Sequence, residues 1–129
     1  AGLHPWLVEV VAGIIAPGET AEQVVRREAM EEAGVHIAEV EKVATCMVTP
    51  GACSECVDIF VGRADASKAG GVYGLAHEHE NIRVFTLSVD EAEKMLAAQD
   101  FTNVVTIVAL QWLLLNRVQL RDRWGAFRR

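Results

Sequence analysis

The fold is decided by residues 13–35, which have the sequence GIIAPGETAEQVVRREAMEEAGV. Thr20 is a typical helix N-cap, and Gln23, three residues later, completes a capping box. We therefore expect a helix that runs to about Ala33. Gly34 suits the left-handed backbone position that commonly follows a helix end.

The second half of this helix concentrates negative charge. Glu28 and Glu32 are four residues apart and share a face, and Glu31 lies beside them. Like charges at this spacing repel one another, and the negative end of the helix dipole disfavours them as well. A solvated acidic face is the ordinary explanation for a run of glutamates. A divalent cation explains this one better, because hard ions such as Mg2+ prefer carboxylate oxygens.

The residues around the glutamates support that interpretation. Arg27 can reach Glu31 one turn later and Glu19 in the preceding loop, and a guanidinium fork pairs well with carboxylates. Gly13 and Gly18 let the loop bend sharply and bring its backbone carbonyls close to the metal. This combination favours a metal site over a solvated helix.

At every defining position the segment resembles the Nudix signature: Gly, five residues, Glu, seven residues, Arg-Glu, an aliphatic, any residue, Glu-Glu, any residue, Gly, an aliphatic. Ala29 and Val35 fill the aliphatic positions. The resemblance implies a single α/β (α+β) domain over residues 1–129, folded as a Nudix αβα sandwich with a mixed sheet. It also implies hydrolysis of a nucleoside diphosphate linked to another group, with Mg2+ or Mn2+ as cofactor.

The remaining pattern predicts strands and helices in alternation. The expected strands are Trp6–Ala12, within His36–Thr49, Cys56–Gly62 and Ile82–Leu87, with a long loop from Ala64 to Glu80. The expected helices run from Ser88, capped with Glu91, to near Gln99, and from about Thr102 to Trp124. In the last helix one buried stripe is expected at Val104, Val108, Trp112, Leu115 and Gln119.

Downstream residues narrow the resemblance to the bacterial ADP-ribose pyrophosphatases. Pro50 lies 16 residues beyond Gly34, which is a mark of that subfamily, and the similarity extends over nearly all of the chain from Pro5 to Trp124. The implied reaction is hydrolysis of ADP-ribose to AMP and ribose 5-phosphate, with a loop glutamate, Glu78, activating the water. The implied site comprises Glu78, Glu31 and Arg27 as catalytic residues, the Ala12 backbone carbonyl, Glu28, Glu32 and Glu80 around the metal, and Gly13, Pro50 and Gly51 at the substrate.

The chain departs from the subfamily at its beginning, because only twelve residues precede Gly13. Members of the subfamily have an N-terminal sheet that swaps across a homodimer and forms much of the adenine pocket. We therefore expect a chain that lacks the usual N-terminal strands and that is either a fragment or completes its sheet in another way. Open strand edges and apolar surface favour dimerisation or aggregation, and a homodimer is expected.

The cysteines bear on the cellular compartment of the chain, and its charge balance bears on its partners. Three cysteines with no secretory signal suggest reduced thiols in the cytoplasm. Cys53 and Cys56, with His77 and His79, could form a zinc site, but the histidine spacing is a poor match and idle thiols are favoured. A net charge of -6 argues against nucleic acid as a partner, and no stretch is apolar enough to span a membrane.

Two classes of function remain open at this stage. In the first, the chain is a working hydrolase of ADP-ribose or of another nucleotide sugar. In the second, it is a Nudix module that binds nucleotide or a partner without turnover. The glutamates favour the first class, and the short N-terminal region favours the second.

Overall fold

A computed structural model describes residues 6–73 and 81–125 of the chain. Three helices and four strands are formed there. They are α1 (Ala21–Ala33), β1 (Ile37–Met47), β2 (Cys56–Ala64), β3 (Gly71–Tyr73), β4 (Ile82–Val84), α2 (Val89–Ala97) and α3 (Val104–Trp124). The expected α/β class is confirmed.

The described residues divide into two compact units. The first unit contains residues 6–10, 43–61 and 88–125, and the second contains residues 11–42, 62–73 and 81–87. The single domain expected over residues 1–129 stays a prediction.

The first unit is built around the two C-terminal helices. Ser88 begins α2 with a capping box to Glu91, and Asn103 begins α3 by accepting a hydrogen bond from the backbone N–H of Thr106. The helices α2 and α3 pack against each other. The buried residues of this unit are Ile59, Ala92, Phe101, Thr106 and Leu120.

The second unit holds α1, the strands β3 and β4, and parts of β1 and β2. β3 pairs with β4 in an antiparallel arrangement, with Val72 opposite Arg83, and α1 contacts both strands. The buried residues of this unit are Val24, Ala29, Ala33 and Ile37. Because they lie on α1 and at the first residue of β1, the core of this unit forms around the glutamate helix.

The sheets differ from the expected single mixed sheet. The strands in the described part form two two-stranded sheets, one of β1 and β2 and one of β3 and β4. Side chains also link β1 to β2, since the Thr45 hydroxyl donates to Asp58 at 2.7 Å and Arg63 pairs with Glu39 at 3.1 Å.

The expected strand at residues 6–12 is wrong, because this segment has no regular secondary structure. Its backbone donors bond side chains instead of a neighbouring strand. The N–H of Val10 donates to the Thr106 hydroxyl at 3.3 Å, and the N–H of Ala12 donates to Glu32 at 3.3 Å.

Two other expectations need correction. The long loop expected from Ala64 to Glu80 contains β3, and β4 is shorter than the strand expected over Ile82–Leu87. The buried stripe expected on α3 is also wrong, since Val104 is 54 % exposed and Leu115 is 80 % exposed. The buried side of α3 instead includes Thr106 and Leu120, which lie on the opposite helical face.

Candidate active site

The glutamates of the site are carried by α1, and both ends of this helix are fixed by local sequence. The Thr20 hydroxyl accepts from the N–H of Gln23 at 3.2 Å, and the Gln23 side chain accepts from the N–H of Thr20 at 2.9 Å. At the other end Gly34 has φ +64, and the N–H of Val35 returns to the carbonyl of Ala29. This closure ends the helix directly after its glutamate cluster.

Arg27 joins three carboxylates, of which Glu19 and Glu31 were predicted from the sequence and Glu28 was not. Its guanidinium holds both oxygens of Glu19 at 3.1 Å, which ties the loop before α1 to the helix. Its Nη1 also donates to Glu28 at 2.8 Å and to Glu31 at 3.3 Å. The positive charge of the Arg27 guanidinium therefore offsets the repulsion among these three carboxylates.

These contacts shift the protonation of both partners. The hydrogen bonds from Arg27 hold the pKa of the Glu19 carboxyl below its ordinary value, and the N–H of Ala16 assists, while partial burial acts in the opposite direction. The Glu19 carboxylate in turn raises the pKa of the Arg27 guanidinium, with Glu28 contributing. Both groups are therefore fully charged near neutral pH.

Gly13 provides a seat for Glu28. A Cβ atom placed on Gly13 would overlap the Cγ, Cδ and Oε1 atoms of Glu28, so the carboxylate packs directly over the glycine backbone. The Glu28 side chain is 14 % exposed, against 33 % for Glu31. The loop therefore encloses Glu28 more than its neighbour on the helix.

The backbone of Ala12 lies next to Glu32. Its N–H donates to Oε2 of Glu32 at 3.3 Å. Together these contacts bring Ala12, Gly13, Glu28 and Glu32 to one place in the second unit. That Glu28, Glu32 and the Ala12 carbonyl bind a metal stays a prediction.

The donor set fits a hard divalent cation that keeps part of its water. In residues 6–73 and 81–125, no group of three or more His, Cys, Asp or Glu side chains is arranged to hold a metal ion. Two carboxylates beside a backbone segment are nevertheless enough for Mg2+, which commonly uses one or two protein carboxylates and leaves other positions for water and substrate phosphates. Glu78 and Glu80, the expected loop carboxylates, lie outside the described residues.

The residues expected at the substrate lie in different units. Gly13 belongs to the second unit, whereas Pro50 and Gly51 belong to the first, in a turn where the N–H groups of Ala52 and Cys53 donate to the Thr49 carbonyl. Their role in substrate binding stays a prediction.

The cysteines are free thiols, with Cys53 and Cys56 exposed and Cys46 half-buried. The histidines considered with them, His77 and His79, lie outside the described residues. In the part of the chain that is described, none of the helices has the length and apolar character needed to cross a membrane.

One contact that bears on the site was not predicted from the sequence. Arg26 donates to the backbone carbonyl of Ile37 at 2.6 Å and to Glu22 at 3.2 Å. The Glu22–Arg26 spacing of four residues could have indicated the ion pair. The bond to Ile37 depends on the turn after α1 and has no signal in the sequence.

Comparison with known proteins identifies the family. The NUDIX domain matches residues 1–126, so the chain belongs to the NUDIX family. It is 42 % identical over 121 residues to an ADP-ribose pyrophosphatase of Escherichia coli (strain K12), covering 94 % of this chain and 58 % of that protein. The resemblance inferred from the signature is thereby confirmed.

Two further relatives extend the comparison. An ADP-ribose pyrophosphatase of Haemophilus influenzae is 35 % identical over 120 residues, covering 93 % of this chain and 55 % of that protein. A GDP-mannose pyrophosphatase of Escherichia coli (strain UTI89) is 28 % identical over 113 residues, covering 87 % of this chain and 58 % of that protein. The chain thus spans a little over half the length of these relatives.

Proposed function

We propose that the chain carries the catalytic site of a Mg2+-dependent pyrophosphohydrolase that cleaves ADP-ribose to AMP and ribose 5-phosphate, with Mn2+ as an alternative cofactor. The observation that supports this most is the seating of Glu28 on Gly13 beside the Glu32–Ala12 contact. The names of the relatives that are 35 % and 42 % identical point to ADP-ribose.

In this proposal Glu28, Glu32 and the Ala12 carbonyl hold the cation, with Glu80 as a further carboxylate close by. When bound, the cation neutralises diphosphate charge and lowers the pKa of the attacking water. Arg27 and Glu31 keep the acidic face in place, since Arg27 pairs with Glu28 at 2.8 Å and with Glu31 at 3.3 Å.

Glu78 is proposed to accept the proton of the attacking water. The water oxygen bonds to one phosphorus, the bridging P–O bond breaks, and the departing phosphate oxygen takes up a proton. The products are AMP and ribose 5-phosphate, which balance ADP-ribose plus water. Gly13, Pro50 and Gly51 are proposed to contact the substrate.

A decisive experiment compares the chain with Glu28→Gln on ADP-ribose, GDP-mannose and NADH in the presence of Mg2+, with chromatographic detection of AMP and GMP. We expect AMP from ADP-ribose, and at least about a hundredfold slower release by Glu28→Gln, since a metal ligand contributes several kcal/mol to the transition state. Glu39→Gln is the matched control, because Glu39 is also paired with an arginine in the same unit but lies on β1.

The outcomes separate the candidate functions. Equal turnover by Glu28→Gln would contradict the assigned site. Faster release of GMP from GDP-mannose would favour the second substrate, which the 28 % identical relative suggests. No turnover by a folded chain that still binds nucleotide would favour a binding module without catalysis.

The proposal also includes the partners, the oligomeric state and the cellular compartment of the chain. A nucleotide sugar is the expected small-molecule substrate, and neither nucleic acid nor a membrane is expected as a partner. A homodimer in the cytoplasm remains the predicted state.

A further inference from the structure

Arg26 occupies the side of α1 that faces away from the metal-binding carboxylates. Around the axis of an α-helix, residues 26 and 28 are about 160° apart and residues 26 and 32 are about 120° apart. Arg26 nevertheless makes one of the shorter hydrogen bonds of the described chain, 2.6 Å from Nη1 to the Ile37 carbonyl. Its Nη2 pairs with Glu22 at 3.2 Å.

The bond to Ile37 spans the corner between α1 and β1. The chain leaves the helix through Gly34, and β1 begins at Ile37, whose side chain is buried. Arg26 therefore connects the middle of the helix to the first residue of the strand. Glu22 lies on α1 itself, so the ion pair orients the planar guanidinium, and the bond to the Ile37 carbonyl is the contact that restricts rotation of the helix about its own axis.

Rotation of α1 matters because the carboxylates lie far from the helix axis. Side chains extend to about 6 Å from the axis, so a rotation of about 10° moves a carboxylate by about 1 Å. Mg2+ requires near-ideal octahedral geometry with oxygens at about 2.0–2.1 Å. An error of this size would therefore weaken the binding of the cation.

We propose that Arg26 is a positioning residue of the metal site, which sets the rotation of α1 through the Ile37 carbonyl so that Glu28 and Glu32 meet the cation together. This inference rests on the proposed function, because it assumes that these two glutamates hold the metal.

The test measures metal affinity directly, by electron paramagnetic resonance titration of the full chain with Mn2+. Arg26→Met keeps the aliphatic stem and removes the donors. We expect its Mn2+ dissociation constant to rise about tenfold, the range seen when residues that orient metal ligands are removed. Arg26→Lys, which keeps one donor and the charge, should restore binding to within about threefold of the unaltered chain.

Arg63→Met is the matched control. Arg63 has the same side-chain exposure as Arg26, 39 %, and also pairs with a glutamate, but it lies on β2. Its Mn2+ affinity should equal that of the unaltered chain. Glu22→Gln removes the ion pair and leaves the Ile37 bond, so it should change the affinity by less than about twofold.

Melting temperatures measured by circular dichroism on the same samples separate positioning from stability. A lower melting temperature with unchanged Mn2+ affinity in Arg26→Met would overturn the proposal, and so would an equal loss of affinity in Arg63→Met. If Arg26→Met does not fold, Arg26→Gln decides, because its shorter side chain stays polar but loses the bond to the Ile37 carbonyl. A Mn2+ affinity at least about threefold weaker than that of the unaltered chain supports the proposal, and identical affinity overturns it.

Glu28→Gln, titrated with Mn2+ in parallel, distinguishes a failure of the proposed function from a failure of the proposed role of Arg26. Loss of Mn2+ binding in Glu28→Gln with normal binding in Arg26→Met would leave the proposed function standing and reject the role of Arg26. Equal Mn2+ binding by Glu28→Gln and the unaltered chain would reject both.

Discussion

At the scale of single residues, the contact between Gly13 and Glu28 makes a sharp prediction. A methyl group at position 13 would overlap the Glu28 side chain, so Gly13→Ala should displace the carboxylate. We expect kcat for ADP-ribose to fall at least about tenfold and the free energy of unfolding to fall by about 1–3 kcal/mol, as for other overpacked sites. Steady-state kinetics and urea titration would measure the two effects.

Gly18→Asn is a suitable control for this substitution. Gly18 lies in the same loop with φ +87, but nothing lies within 4 Å of the position of its Cβ. Asparagine tolerates this backbone region better than most residues, so a much smaller loss of activity is expected. Full activity in Gly13→Ala would mean that Glu28 reaches its working position without packing against the backbone of residue 13.

At the scale of secondary structure elements, the two capping boxes are the features most open to test. Ser88 accepts from the N–H of Glu91 at 3.1 Å, and the Glu91 side chain accepts from the N–H of Ser88 at 3.3 Å. Ser88→Ala should lower the free energy of unfolding by about 1 kcal/mol, because the N-terminus of α2 loses its cap. Urea denaturation of this variant beside Ser54→Ala, an exposed serine of the β1–β2 connection, would show the difference.

The elements also show why some structure could be predicted from the sequence and some could not. The caps at Thr20 and Ser88 and the left-handed Gly34 involve neighbours within a few residues, so local sequence determines them. The three residues of β3 form a strand through pairing with β4, about ten residues later. The buried side of α3 depends on what packs there, and the apolar spacing of Val104 and Leu115 pointed to the wrong face.

In the candidate site, too, contacts between near neighbours in the sequence could be predicted and a long-range contact could not. The pairing of Arg27 with Glu19 and Glu31 was predicted from spacing and is confirmed. The packing of Glu28 against Gly13 could not be predicted from the sequence, because the two residues are fifteen positions apart and meet only when the loop folds over the helix.

At the scale of the whole molecule, large apolar side chains remain exposed in both units. Ile14 is 87 % exposed in the second unit and Leu115 is 80 % exposed in the first, where Val104 and Val118 share its side of α3. Exposed apolar patches commonly mark association surfaces, which agrees with the predicted homodimer.

Sedimentation velocity at micromolar concentration tests the prediction. We expect a dimer for the unaltered chain and a shift toward monomer for Leu115→Lys, because the lysine would place charge in an apolar contact. Ser54→Lys adds the same charge at an exposed position of the β1–β2 connection, outside α3, and should leave the dimer intact. A monomer at every concentration would reject the homodimer.

The loop before α1 holds two glycines that are required for different reasons, although the signature contains only one of them. At position 13 the lack of space requires glycine. L-residues could adopt its φ, but the Glu28 side chain fills the place of a Cβ atom. At position 18 the backbone conformation requires glycine. There is ample space for a side chain, but φ is positive, which L-residues rarely adopt. A D-amino acid introduced by chemical synthesis should therefore fit at position 18 and stiffen the loop, because its mirror-image side chain favours the conformation that Gly18 already adopts.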